Sequence, residues 1–196
     1  MTGSSAVRME RRRLLEVIPR DDGTFGIRAT LTDESFGGDY AATGGDSIVV
    51  HDFVVVGRVT RELEVLELAA EAPVHPYPLC PRALAACAAL VGRSLGAGWR
   101  RTVLEVGGGT AGCTHLTSLL LSLTELTTLS FFLQINEHLP YDQESRSTGA
   151  WMAVGLGLAP QLGDACHVLT RDGEVLTAAR SLPDPTVRAP RTPPPR

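Results

Sequence analysis

The hydropathy period changes once along the chain, near residue 70, and this change limits the fold more than any other feature. Before it, apolar residues alternate with polar ones at the strand period of two; after it, leucines recur at helical spacing. Arg12 to Ile18 and Thr24 to Thr32 flank Asp21-Asp22-Gly23, a turn sequence. Ser47 to Thr60 is a β-branched run, and Leu63, Val65, Leu66 and Leu68 follow after the polar link Arg61-Glu62. This spacing predicts an antiparallel meander. Pro73, Pro76, Pro78 and Pro81 then force an extended, irregular stretch.

The second half reads as helical. Ala83 to Leu95 is rich in Ala and Leu and ends near Gly96 and Gly98. Trp99 to Val106 fits a short helix or a strand equally well. Leu116, Leu119, Leu120, Leu123 and Leu126 form an amphipathic stripe. Residues 136–165 lack a clear period and read as loop. Arg171-Asp172-Gly173, between Ala165 to Leu169 and Glu174 to Ala178, predicts a hairpin. The expected fold is α+β, an antiparallel β-meander with two main helices packed on one face. One such domain is expected over 10–182, between a disordered leader (1–9) and a disordered Pro/Arg tail (183–196).

Charge and residue choice exclude several functions. The net charge is −4 over 196 residues, and the single basic cluster, Arg11-Arg12-Arg13, reads as an exposed strand start. A general nucleic-acid partner is therefore not expected. All 18 basic residues are arginine. Without lysine the chain can form neither a Schiff base nor a P-loop. The most apolar stretch, Leu116 to Ile135, is interrupted by hydroxyl residues and Glu125, so no membrane association is expected. There is no apolar leader of secretory length. The four cysteines (Cys80, Cys87, Cys113 and Cys166) are thus expected to be free or metal-bound thiols in a reducing cytoplasm.

The chemistry concentrates at Gly112-Cys113-Thr114-His115-Leu116, which follows Gly107-Gly108-Gly109 and opens the leucine helix. A helix N-terminus favours a thiolate, the form that binds metal or attacks an electrophile. A structural helix start needs only a cap, which Thr114 can supply; it does not need Cys and His on either side. His51-Asp52 interrupts the most apolar strand, and Cys80 sits between Pro78 and Pro81. Unpaired polar groups in such places are costly. Thiolate, imidazole and carboxylate together suit zinc or iron. His51, Asp52, Cys80, Cys113 and His115 are therefore the expected metal ligands. The same residues also suit an enzyme of small-molecule metabolism, with Cys113 as nucleophile or ligand, His115 as base and Asp52 orienting it. A partner-binding module with incidental thiols is the third possibility. Cys87, among alanines, reads as core.

Two resemblances follow from these motifs. The Arg-led β start, the strand with His51-Asp52, the Pro-bounded Cys80, Leu90-Val91-Gly92, Gly98-Trp99, Gly-Cys-Thr-His-Leu and the late Cys166 resemble a bacterial domain family of unknown function. That family tends to carry an acidic residue soon after the motif, where this chain has Ser118, with Glu125 two turns on. The order of elements also resembles the NifU-type iron–sulfur scaffold domain. That resemblance implies a converging site of Asp52, Cys80, Cys113 and His115 at a sheet edge.

Overall fold

The computed structural model describes residues 7–37 and 47–183. The expected leader up to residue 6 and the expected tail from 184 onward lie outside the described residues. The chain forms two compact units, Met1–Thr127 and Thr128–Arg196.

The first unit is built on four antiparallel strands in the order β1-β2-β3-β4: β1 (Arg8–Pro19), β2 (Phe25–Phe36), β3 (Ser47–Val59) and β4 (Val65–Val74). Each strand pairs with the next, as the meander predicts. Asp22 sets the first turn, its Oδ1 accepting from the Thr24 amide at 3.0 Å and the Thr24 hydroxyl at 2.6 Å. Phe25, Ile27, Ala29 and Leu31 of β2 and Phe53, Val55 and Val59 of β3 are all buried on one face of the sheet. Period-two alternation produces this face.

Helices cover that face, so the fold is α+β. A 3-10 segment, Cys80–Leu90, packs along β4 and is followed by α1 (Trp99–Gly107) and α2 (Thr114–Ser122). The expected helix to Leu95 stops at Leu90. Beyond it the backbone turns at Gly92 and hydrogen-bonds to the start of β4: Gly92 N–H to Val65 O at 2.8 Å, and Leu95 N–H to Leu63 O at 3.0 Å. Gly92, at positive φ, ends the helical run, and the residues after it bridge to the chain at the start of β4. The Trp99 stretch is a helix, and its indole N–H donates to Leu120 O at 2.7 Å in the core.

Leu116, Leu119, Leu120, Leu123 and Leu126 are all buried, in one core cluster with Phe25, Leu31, Phe53 and Val55. Helical structure runs on through a 3-10 turn into α3 (Leu126–His138). The whole run Thr114–His138, 25 residues with a mean hydropathy of 1.5, is long and apolar enough to cross a membrane. This corrects the expectation that hydroxyl residues interrupt it. The Ser122, Thr124 and Thr127 hydroxyls donate to carbonyls three residues back, at 2.7, 3.1 and 2.7 Å, and so are satisfied within the helix. Burial of the leucine stripe under the sheet is what a core helix also shows.

In the second unit, α4 (Gln143–Ser147), α5 (Ala150–Leu158) and α6 (Glu174–Arg180) replace two expectations. Residues 136–165 hold helices rather than loop. Asp142 and Ser145 form a reciprocal capping box at α4. Ala150-Trp-Met-Ala-Val-Gly-Leu-Gly-Leu158 is apolar on every face, so it carries no amphipathic period. The hairpin expected around Arg171-Asp172-Gly173 is instead a turn leading into α6. Glu174 and Arg180 lie at the ends that suit the helix dipole, while Leu176 and Ala179 are buried three residues apart.

Candidate metal centre

Three strands and one helix deliver the site. Arg11 of β1 is directly opposite Asp33 of β2, and Asp33 is directly opposite His51 of β3. Facing residues on neighbouring strands point to the same side of the sheet, so the three side chains form a row on the core face. The register shifts just beyond Asp33, between Asp33 and Glu34. His115, in the first turn of α2, stacks on His51 with ring centroids 3.7 Å apart and planes at 27°.

The Gly-rich turn determines where His115 sits. A Cβ on Gly112 would come within 1.9 Å of Gly107 O, and one on Gly108 within 2.3 Å of Leu104 O. Only glycine allows the backbone to fold back this tightly. The Thr117 hydroxyl then ties α2 to Gly107 O at 2.6 Å. Thr114 is the first residue inside the helix, not its cap. The N-cap is Cys113, whose side chain bonds no backbone amide there.

Asp33 is the hub. Arg11 grips it with two parallel bonds, Nε to Oδ1 at 2.6 Å and Nη2 to Oδ2 at 2.8 Å. The same Oδ2 lies 3.0 Å from His51 Nδ1 and 3.4 Å from His115 Nε2. The Arg11 hydrogen bonds hold the Asp33 carboxyl below the usual carboxylate range, against the opposing effect of burial. Burial pushes the His115 imidazole below the usual histidine range; His51 and Arg11 add to this, and Asp33 opposes it. His115 is thus predominantly neutral at pH 7, the form that binds metal or accepts a proton.

One atom of the cluster is left without a hydrogen bond. His51 Nδ1 is buried and makes no hydrogen bond, because its 3.0 Å approach to Asp33 Oδ2 lies outside hydrogen-bond geometry. A buried orphan nitrogen is costly unless something occupies its lone pair or its proton. The donor atoms of Asp33, His51 and His115 lie within 4.8 Å of one another. Metal–ligand distances near 2.0–2.2 Å need donor pairs no more than about 4 Å apart, so small ring rotations suffice to close the set. Two imidazoles and a carboxylate fit zinc or ferrous iron.

The expected ligands are divided by this geometry. His51 and His115 are brought together. Cys113 sits beside them, Sγ 3.7 Å from His115 Nδ1. Asp52 lies on the opposite face of β3, where Thr32 Oγ1 donates to its Oδ1 at 3.1 Å. Cys80 opens the 3-10 segment along β4 and is not among the three gathered donors. Glu125 is exposed. Cys87 is buried, and burial pushes its thiol up to about 11, as for a small core hydrophobe. Asp33 escaped the sequence reading because the strand was expected to end at Thr32. Extending the alternation Phe25, Ile27, Ala29, Leu31 by one step puts an acid in line with the core, and that was the available signal.

The chain is thus an α+β protein whose meander and helix α2 gather a part-buried Asp-His-His cluster. It belongs to DUF2889, a family of proteins of unknown function whose model matches residues 9–128. That span includes Arg11, Asp33, His51, Cys113 and His115, and closely coincides with the first compact unit. No curated protein and no solved structure matches the chain, and the NifU-type likeness finds no support.

Proposed function

We propose that this is a metal-binding protein whose centre is Asp33, His51 and His115, suited to zinc or ferrous iron. The observation that carries this reading is the buried, unbonded His51 Nδ1, 3.0 Å from an Asp33 Oδ2 that also lies 3.4 Å from His115 Nε2, in a set of three residues whose donor atoms fall within 4.8 Å of one another. Cation binding at Oδ2 would give that nitrogen a partner. It would share Oδ2 with Arg11 Nη2 and leave Oδ1 with Arg11 Nε, so that Arg11 steadies the carboxylate, as groups behind metal ligands commonly do. Of the five ligands expected from sequence, His51 and His115 remain in this proposal, Asp33 takes the carboxylate role of Asp52, and Cys113 stands beside the centre.

Elemental analysis of protein purified without a metal-binding tag tests this. About one zinc or iron per chain is expected, as for a single dedicated site. His51→Ala and His115→Ala should each lose most of it, while Cys87→Ser retains it. Equal metal in parent and variants, or none in the parent, overturns the proposal.

A second reading rests on Cys113. Its sulfur, the His115 imidazole and the Asp33 carboxylate form a chain with steps of 3.7 and 3.4 Å, the order of nucleophile, base and orienting acid in a cysteine enzyme. Rapid alkylation of Cys113 in metal-free parent, lost in His115→Ala, would favour this reading over the metal centre.

A further inference from the structure

Strand β1 ends the sheet, and among the described residues no strand pairs with its outer side. It is 12 residues long and pairs with β2 without a register shift. Edge strands are commonly blunted by shortness, a bulge or a proline; here the proline, Pro19, comes only at the last position. The Arg20 amide donates to Thr24 O at 3.0 Å where the hairpin closes. By alternation from that pair, even-numbered residues of β1 bond to β2, and odd-numbered ones turn their N–H and C=O to the free edge. Leu14 and Ile18 point away from the core and are half exposed. Leu14 lies in one row with Thr30 and Val54. The charge of the strand is divided: Arg11, Arg12 and Arg13 precede Leu14, and Glu16 follows it.

We infer that a second copy of the chain occupies this edge, joined β1 to β1 in antiparallel fashion about a two-fold axis at Leu14. The inference is independent of the metal reading. A two-fold axis normal to the sheet keeps every side chain on its own face. With Leu14 opposite the partner's Leu14, Arg12 faces the partner's Glu16, and the match occurs twice by symmetry. Arg12 already binds Glu34, and Glu16 lies 3.7 Å from Arg28. Each match therefore joins two ion pairs into an alternating set: Glu34, Arg12, the partner's Glu16, the partner's Arg28. Such networks contribute more than isolated exposed pairs. These are non-hydrogen-bonded positions, where facing side chains come closest. The two Arg13 side chains fall on a diagonal and, being exposed, can turn apart. Centring the axis on Arg13 instead sets Arg13 against Arg13 and Glu10 against Glu16. Centring it on Leu15 loses the Arg12–Glu16 match and sets Arg11 against Pro19, which has no N–H to offer the ladder.

Sedimentation velocity on the full chain, from about 1 to 300 µM to span the range of weak interfaces, should show the mass rising from one chain to two. Leu14→Arg sets like charges opposite each other on an exposed position and should weaken the dimer at least about tenfold. The register is read by cross-linking in a Cys166→Ser background, which removes the exposed thiol. Facing Cα atoms at a non-hydrogen-bonded pair are about 4.5 Å apart, within disulfide reach, so Leu14→Cys should form a disulfide-linked dimer with oxidised glutathione. Ile18→Cys should not, since eight positions separate the two copies of residue 18, about 27 Å along the strands. A chain that stays monomeric throughout, a dimer unchanged by Leu14→Arg, or Ile18→Cys linking as readily as Leu14→Cys overturns the inference.

Discussion

The Arg11–Asp33 pair yields a prediction whose asymmetry comes from burial. Removing Asp33 leaves a guanidinium that is already 43% exposed and can be hydrated; removing Arg11 leaves a carboxylate side chain that is only 8% exposed. Leaving a buried charge unpaired costs more than leaving a wet one. Each charge-assisted bond contributes about 1.5–3 kcal/mol when shielded, and exposed pairs contribute about 0.2–1 kcal/mol. A half-exposed bidentate pair should therefore couple by about 1–2 kcal/mol, intermediate between those limits. Arg11→Ala alone should cost about 2–3 kcal/mol and Asp33→Asn less, for the same reason. The assay is a double-mutant cycle on metal-free protein by urea unfolding, followed by Trp99 fluorescence in a Trp151→Phe background so that only the first unit is read. The pH dependence has a definite sign. Asp33 has a folded pKa below its ordinary value, so its contribution is present at neutral pH and above the unfolded pKa. It is lost as pH falls through the lower folded value. The cost of Arg11→Ala should therefore shrink in acid. A coupling at pH 7 within about 0.3 kcal/mol of zero, the usual scatter of independent sites, would refute the reasoning. So would an Asp33→Asn cost exceeding that of Arg11→Ala.

Two further outcomes concern the scaffold. Leu120→Ala or Leu123→Ala, at positions 1% and 0% exposed, should each destabilise the first unit by about 2–5 kcal/mol through the cavity left behind; a loss under about 1 kcal/mol in urea unfolding would place that face outside a packed core. Gly112→Ala should cost several-fold in metal affinity as well as stability, because the added Cβ meets Gly107 O and displaces the turn that presents His115; isothermal titration showing parent-like zinc affinity in a folded Gly112→Ala variant would show that this turn does not position His115.

Local pattern was enough to read the meander, the turn at Asp22 and the buried leucine stripe, because each depends on neighbours a few residues apart. The same evidence singled out His51, Cys113 and His115 as residues that the fold alone does not require. Three things needed the tertiary structure. Residues 91–95 leave the helical run at Gly92 and bridge to the start of β4, a long-range contact that local pattern does not contain. Helix α5 was invisible because its apolar surface has no polar face to reveal a period. Strand register decided which acid joins the histidines. Asp52 is adjacent to His51 in sequence, yet the pleat turns it to the other face, while Asp33, 18 positions earlier, lies directly across the ladder. Sequence adjacency in a strand separates side chains, and pairing across the sheet brings them together. Composition and period therefore determined the architecture and two of the gathered donors. Only the register of β1, β2 and β3, together with the glycine turn before α2, decided that Arg11, Asp33, His51 and His115 meet.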